Sequence, residues 1–241
     1  MRAGRRVTEK PLSAASRRIE ATFCFIDLAG FTALTEEKGD YRAADVATRF
    51  AELTRAALEP GDRLVKTIGD AVLVTSENPG SGVALVERLM IQAAEEVRFP
   101  SLRAGLHHGV AIERSGDVFG AAVNLAARVA AEAHAGEVLG TELIAEAARE
   151  IGIPVAELGE VLLKNVRDSI PLFSLGLVVG ATETPIDPVC QTPVDRRGAA
   201  GRLRFRSVEY WFCSLTCAAA FASNPGWHSA EAGEKTGERR R

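Results

Sequence analysis

Eight residues, Ala21 to Leu28 (ATFCFIDL), crowd aromatic, β-branched and aliphatic side chains into one short run that delivers an acid, Asp27, at its far end. A run so short and so apolar predicts a buried strand rather than a surface helix. The rest of the chain must supply partners for both of its faces. Tyr41 to Leu58 places Val46, Phe50, Leu53 and Leu58 near helical spacing and stops at Pro60-Gly61. Arg63–Ile68 and Ala71–Thr75 read as two strands joined at Gly69-Asp70 in a tight hairpin. A second helix is expected over Gly82–Val97, a long strand over Leu102–Ile112 and a helix over Ala121–Ala133. Glu137–Leu139 reads as a short strand, Glu142–Ile151 as a helix, and Leu158–Lys164 and Pro171–Leu175 as closing strands. Helices and strands alternate around one hairpin, which points to an α+β fold with helices packed on a mixed sheet.

Asp27 and Asp70 each have a local explanation, Asp27 as a helix cap before Gly30-Phe31-Thr32 and Asp70 as a turn residue. If the first strand lies beside the hairpin, however, the two carboxylates meet at one sheet edge. Like charges held close call for a cation between them. A few hard oxygen ligands suit Mg²⁺ or Mn²⁺ bound together with substrate phosphates. In the helix Ala121–Ala133 the polar side chains are Asn124 and Arg128, four apart and therefore on one face. An arginine on such a small-residue helix needs an anion, either an internal carboxylate or a phosphate.

These residues lie in motifs that resemble the class III nucleotide cyclase catalytic domain: FIDLAGFTAL (Phe25–Leu34), LVKTIGDAVLV (Leu64–Val74), RAGLHHG (Arg103–Gly109), GDVFGAAVNLAARV (Gly116–Val129), AGEVLGT (Ala135–Thr141) and LLKNV (Leu162–Val166). The resemblance implies a ferredoxin-like mixed sheet. It also implies that Asp27 and Asp70 bind two metal ions, that Lys66 and Asp117 read the purine, that Asn124 orients the ribose, that Arg128 stabilises the transition state and that Lys164 holds the triphosphate. Lysine only donates and ionised aspartate only accepts, a pattern that matches adenine and is the reverse of guanine's. ATP is the expected substrate and cyclic AMP the product. A guanylate cyclase, or a catalytically silent nucleotide-binding or metal-sensing regulator, are the other readings. The resemblance further implies a homodimer whose sites are composed from both chains.

After Gly176 the character changes, and three of the four cysteines and both tryptophans follow. DPVC (Asp187–Cys190), EYWFCSLTC (Glu209–Cys217) and FASNP (Phe221–Pro225) resemble the YHS domain, a relative of TRASH modules. Cys190, Cys213 and Cys217 form a candidate soft-metal site for Zn²⁺ or Cu⁺. The family's usual histidine before the aromatic strand is missing, leaving His228 or Asp187 as a substitute donor. Cys24 reads as core. Phe205, Tyr210, Trp211, Phe212, Phe221 and Trp227 are the expected nucleus of this module.

The organisation expected is a flexible arm over 1–19, the cyclase domain over 20–176, a linker over 177–185, the small module over 186–228 and a disordered tail over 229–241. Hydrophobic residues at 46% and charged residues at 25% of 241 are ordinary for a globular chain. The charge-free stretch Pro171–Thr182 is well short of the ~20 apolar residues of a span. No apolar leader follows the N-terminal arginines, and a cytoplasmic protein without a membrane span is expected. Arg239, Arg240 and Arg241 close a solvated terminus, so no specific nucleic acid is expected.

Overall fold

The computed structural model describes residues 16–177, 185–196, 198–206 and 208–233. Most of the expected arm, most of the linker and the tail from residue 234 lie outside the described residues.

The elements in chain order are β1 (Arg17–Leu28), α1 (Phe31–Lys38), α2 (Asp40–Ala57), β2 (Arg63–Ile68), β3 (Ala71–Ser76), α3 (Pro79–Glu95), β4 (Leu102–Arg114), β5 (Asp117–Phe119), α4 (Ala121–Glu132), β6 (Val138–Gly140), α5 (Glu142–Glu150), β7 (Val155–Val161), β8 (Ile170–Leu175), β9 (Gly201–Phe205), β10 (Val208–Phe212), α6 (Leu215–Ser223) and α7 (Pro225–Gly233). One sheet runs β2-β3-β1-β4-β6-β8-β7, with β5 paired to β4. The β4–β6 pair is parallel and its neighbours are antiparallel, so the sheet is mixed. The order β2-β3-β1-β4 with its two crossovers is the ferredoxin-like half of the expected fold.

Alternation along β1 sends Cys24, Ile26 and Leu28 to one face and Ala21, Phe23 and Phe25 to the other. The first set packs with Val46, Phe50 and Leu53 of α2 and Val86 and Leu89 of α3. The second packs with Leu73 and with Ala122, Val123 and Ala126 of α4. β1 is thus buried on both sides and fixes the centre of the domain. Asp27 continues the Ala21-Phe23-Phe25 series on the α4 face.

Several expectations need correction. β1 begins at Arg17, four residues before the apolar run, because its antiparallel register on β4 pairs Arg17 with Glu113, and their side chains bond at 2.8 Å. No apolar signal exists there, since both side chains are polar. Helix α1 entered only through the local alternative for Asp27 as a helix cap and was not among the expected elements. It is short, buries only Leu34 and begins on Gly30 with no side-chain cap, so neither periodicity nor capping chemistry announces it. Asp27 therefore does not cap it. β5 is a three-residue strand in a stretch to which no element was assigned. β7 ends at Val161, which moves Lys164 out of the strand and into an exposed loop.

Helix α4 explains the glycines of RAGLHHG. A Cβ on Gly105 would lie 2.0 Å from the Ala130 backbone nitrogen, and one on Gly109 would lie 3.0 Å from the Ala122 Cβ. Glycine on the strand and alanine on the helix let the two backbones touch. Gly105→Ala is therefore expected to destabilise the domain by about 3 kcal/mol through forced separation of α4 from β4, seen as a lower denaturation midpoint in urea.

Candidate active site

The hairpin turn and the end of β1 are tied together by the backbone. Gly69 takes left-handed φ of 63° with no atom near its missing side chain, which lets the β2–β3 turn close tightly. The Leu28 N–H donates to the Asp70 carbonyl at 3.2 Å, and Asp27 pairs with Ala71 in the β1–β3 register. Asp27 and Asp70 consequently meet at one sheet edge. Burial raises the Asp27 carboxyl above its ordinary range, Arg103 opposes this, and Asp70 adds to the rise by charge and by a shared hydrogen bond.

Arg103 was not singled out from the sequence. It stands opposite Asp27 across the β1–β4 ladder, and its Nε and Nη2 donate to Asp27 Oδ2 at 2.9 and 2.5 Å. A cation thus sits against the carboxylate pair even in the isolated chain, as the electrostatics of two adjacent acids demand. Sequence offered only the first residue of the RAGLHHG motif, and the β1–β4 register turned it toward Asp27. The chemistry of this edge fits a divalent cation: two carboxylates, one of them half-withdrawn from water and bonded to a guanidinium.

Lys66 and Asp117 also meet, although 51 residues separate them. Lys66 Nζ donates to Asp117 Oδ2 at 2.8 Å. That bond holds the Asp117 carboxyl below the ordinary range, helped by the Val118 N–H donated to Oδ1 at 2.8 Å. The Phe119 ring lies under the lysine, 5.9 Å from Nζ to the centroid. The ammonium keeps further hydrogens and the carboxylate further lone pairs, so the pair can bond a purine edge without separating. Arg63 braces β5 from β2, donating to the Gly116 carbonyl at 3.3 Å and pairing with Glu113 at 2.9 Å.

Asn124 is exposed and Arg128 half-buried on α4, while Lys164 is exposed after β7. Among the described residues none of the three side chains makes an internal hydrogen bond or ion pair, so of the two anions weighed for Arg128 the internal carboxylate is not found there. A cavity of about 630 Å³, lined by Phe99, Ser101, Leu102, Ile186, Val194 and Cys213 among others, contains none of the seven cyclase positions.

The second cluster lies in the C-terminal segment. β9 and β10 form a separate two-stranded sheet. Phe212 and Phe221 are buried beside Cys190 and Cys217, with Phe205 and Tyr210 packed against them. Two members of the expected nucleus behave otherwise: Trp227 is 64% exposed, and Trp211 is half-buried between the guanidinium groups of Arg196 and Arg202. The donor atoms of Asp187, Cys190, Cys213 and Cys217 all lie within 4.8 Å of one another. Cys190 and Cys213 sulfurs are 3.4 Å apart and Cys213 and Cys217 sulfurs 3.8 Å, so none is in a disulfide. A tetrahedral ion with Zn–S bonds of ~2.3 Å has ligand edges of about 3.8 Å, and the thiol triangle fits it. Hydrogen bonds from Cys213 and Cys217 pull the Cys190 thiol down to about 2, while Cys213 is pushed up to about 12 and Cys217 is also raised. Of the two substitute donors considered for the missing histidine, Asp187 is in the cluster. His228 stacks on Phe221 at 6.2 Å instead.

The profile of the adenylate and guanylate cyclase catalytic domain matches residues 14–176. The chain belongs to that family. It is 36% identical over 186 residues to the pH-sensitive adenylate cyclase MT1302 of Mycobacterium tuberculosis (strain CDC 1551 / Oshkosh), covering 76% of this chain and 46% of that protein. It is 39% identical over 107 residues to an adenylate cyclase of Streptomyces coelicolor, covering 44% and 28% of the two chains. The chain thus spans less than half the length of these curated relatives. Among solved structures, adenylyl cyclase CyaB of P. aeruginosa superposes with a TM-score of 0.55 at 21% identity, over 66% of this chain and 95% of that one. An adenylate cyclase of Trypanosoma brucei in its monomeric state superposes with a TM-score of 0.60 at 21% identity, over 73% and 94%. These two likenesses establish the fold. Among the described residues no helix is long and apolar enough to cross a membrane.

Proposed function

We propose that this chain is an adenylate cyclase that converts ATP to 3′,5′-cyclic AMP and pyrophosphate in a homodimer with composite sites. The observation that carries the base choice is the Lys66–Asp117 pair, 2.8 Å apart on the exposed side of β2 and β5. Lys66 donates to the adenine ring nitrogen and Asp117 accepts from the amino group. Guanine offers the opposite order, which would face donor with donor and acceptor with acceptor. Asp27 and Asp70 hold Mg²⁺ or Mn²⁺, two per site. Ions held there would acidify the ribose 3′-hydroxyl and neutralise phosphate charge during in-line attack on the α-phosphorus. A cation held by Asp27 would compete with Arg103 for its carboxylate. Asn124 orients the ribose. Arg128, without a side-chain partner among the described residues, gives its donors to oxygens that gain charge in the transition state. Lys164 serves the leaving pyrophosphate as a point charge. A second copy supplies the half of each site that one chain leaves open, consistent with the exposure of Asn124, Lys164 and the apolar Ile112 and Phe119.

The test is incubation of purified protein with ATP or GTP and Mn²⁺ or Mg²⁺, with chromatography of the cyclic products. ATP should be preferred by about 100-fold or more, since a site built to bond one edge leaves polar groups unpaired against the other. The double variant Lys66→Glu, Asp117→Lys keeps the ion pair but reverses donor and acceptor, and should narrow or invert that preference. An unchanged ratio would remove these residues from base selection. The C-terminal thiol cluster binds a soft or borderline ion such as Zn²⁺ or Cu⁺ in this reading, and it gives the segment from residue 186 a fastening that so small a core needs.

A further inference from the structure

The thiol cluster does not stand apart from the cyclase domain. Cys217 Sγ lies 2.6 Å from Glu37 Oε2, and Ser214 Oγ donates to Glu37 Oε1 at 2.6 Å. Lys38 pairs with the same Oε1. Glu37 belongs to α1, 180 residues away in sequence from Cys217, and its side chain is only 7% exposed. A carboxylate so buried must have strong partners, and here those partners are a thiol, a hydroxyl and an ammonium.

Asp187, the acid nearest the sulfurs, is already occupied. Its Oδ1 accepts the Val189 N–H at 2.9 Å and its Oδ2 accepts the Cys213 N–H at 2.8 Å. It pins the two turns that present Cys190 and Cys213. Glu37 Oε2 instead receives, among the described residues, only the thiol, and a carboxylate oxygen has a further lone pair to give.

The other end of α1 meets the same turn. Gly30 has φ of 71°, and a Cβ there would lie 2.7 Å from Gln191 Cγ and 3.0 Å from the Cys190 carbonyl oxygen. The Ser101 N–H donates to the Gln191 carbonyl at 3.4 Å, and the Ala29 N–H donates to the Ser101 carbonyl at 2.8 Å. Residues 190 and 191 are therefore two hydrogen bonds from the loop that follows Asp27.

We propose that Glu37 completes the soft-metal site as its ligand from the cyclase domain, so that metal loading of the C-terminal segment clamps α1 and the loop after Asp27. This rests on the reading of the thiol cluster as a metal site. Zn²⁺ takes three thiolates and one carboxylate oxygen, and the protons released go to solvent. The ion then links the two ends of the chain through coordination bonds in place of one S–H···O contact.

The test uses the full chain in excess Mg²⁺, which occupies hard oxygen sites. Titration with Co²⁺ should produce a thiolate-to-cobalt charge-transfer band saturating at one ion per chain, and one equivalent of Zn²⁺ should slow amide exchange across residues 28–38. Glu37→Gln preserves shape and the bond from Ser214. It should retain the cobalt–thiolate band with about tenfold weaker affinity and lose the zinc-dependent protection of residues 28–38. Cys217→Ser should lose both. Equal protection in Glu37→Gln, or a normal cobalt band without any protection in the parent, overturns the role of Glu37 while leaving the thiol site intact. Absence of the cobalt–thiolate band in the parent overturns the metal reading itself, and this inference with it.

Discussion

Replacing Asp70 with alanine is expected to lower cyclic AMP formation by about a thousandfold, roughly 4 kcal/mol of transition-state stabilisation, because in the proposed mechanism the metal ions would lose a ligand where substrate phosphate charge is neutralised. The fold should not suffer. The left-handed residue of this turn is Gly69, and Asp70 lies in a conformation alanine adopts. Moreover Asp70 is a like charge that burdens the half-buried Asp27. Its removal should leave the thermal midpoint unchanged or slightly higher. Product chromatography and a melting curve on the same sample separate the two effects. Parental turnover in this variant would show that the carboxylate edge is structural and that Arg103 is its permanent counter-ion.

The second large effect is recovery rather than loss. Asp27→Asn keeps an oxygen for Arg103 but no metal-binding charge, and Arg128→Ala removes the donors of α4. Each homodimer should be inactive. Mixed in equal amounts under conditions that exchange subunits, half of the dimers are mixed, and each of those has one site with neither lesion. About a quarter of parental activity should return. Activity that stays at the level of the single variants would place Asp27 and Arg128 of one chain in one site, and would refute the composite arrangement.

Much of the domain could be read from local chemistry. The run Ala21–Leu28 announces a doubly buried strand because apolar side chains occupy both parities of its alternation. The Gly69-Asp70 hairpin and the amphipathic helix ending before Pro60 follow from turn chemistry and periodicity. The seven positions carried by the cyclase resemblance are residues whose type alone is informative: acids that need a cation, and an arginine on a helix of alanine and valine. Elements with weak local signals escaped. Helix α1 starts on a glycine with no cap and buries one leucine, β5 is three residues long, and the first turn of β1 is held by a cross-strand ion pair rather than by apolar pattern.

What the sequence by itself determined was the set of chemical groups and the elements that carry them. What only the tertiary structure decided was which groups touch. Arg103 reaches Asp27 because the β1–β4 register sets residue 103 opposite residue 27, and no spacing within either strand encodes that offset. Glu37 reaches Cys217 because the C-terminal turn seats on Gly30, so a carboxylate unremarkable within its own helix becomes the neighbour of a thiol cluster. The physical reason is the same in both cases. Periodicity and turn chemistry act over a few residues, whereas ion pairs and ligand sets form between elements whose separation in the chain is arbitrary, and only the packing of buried faces brings them to bonding distance.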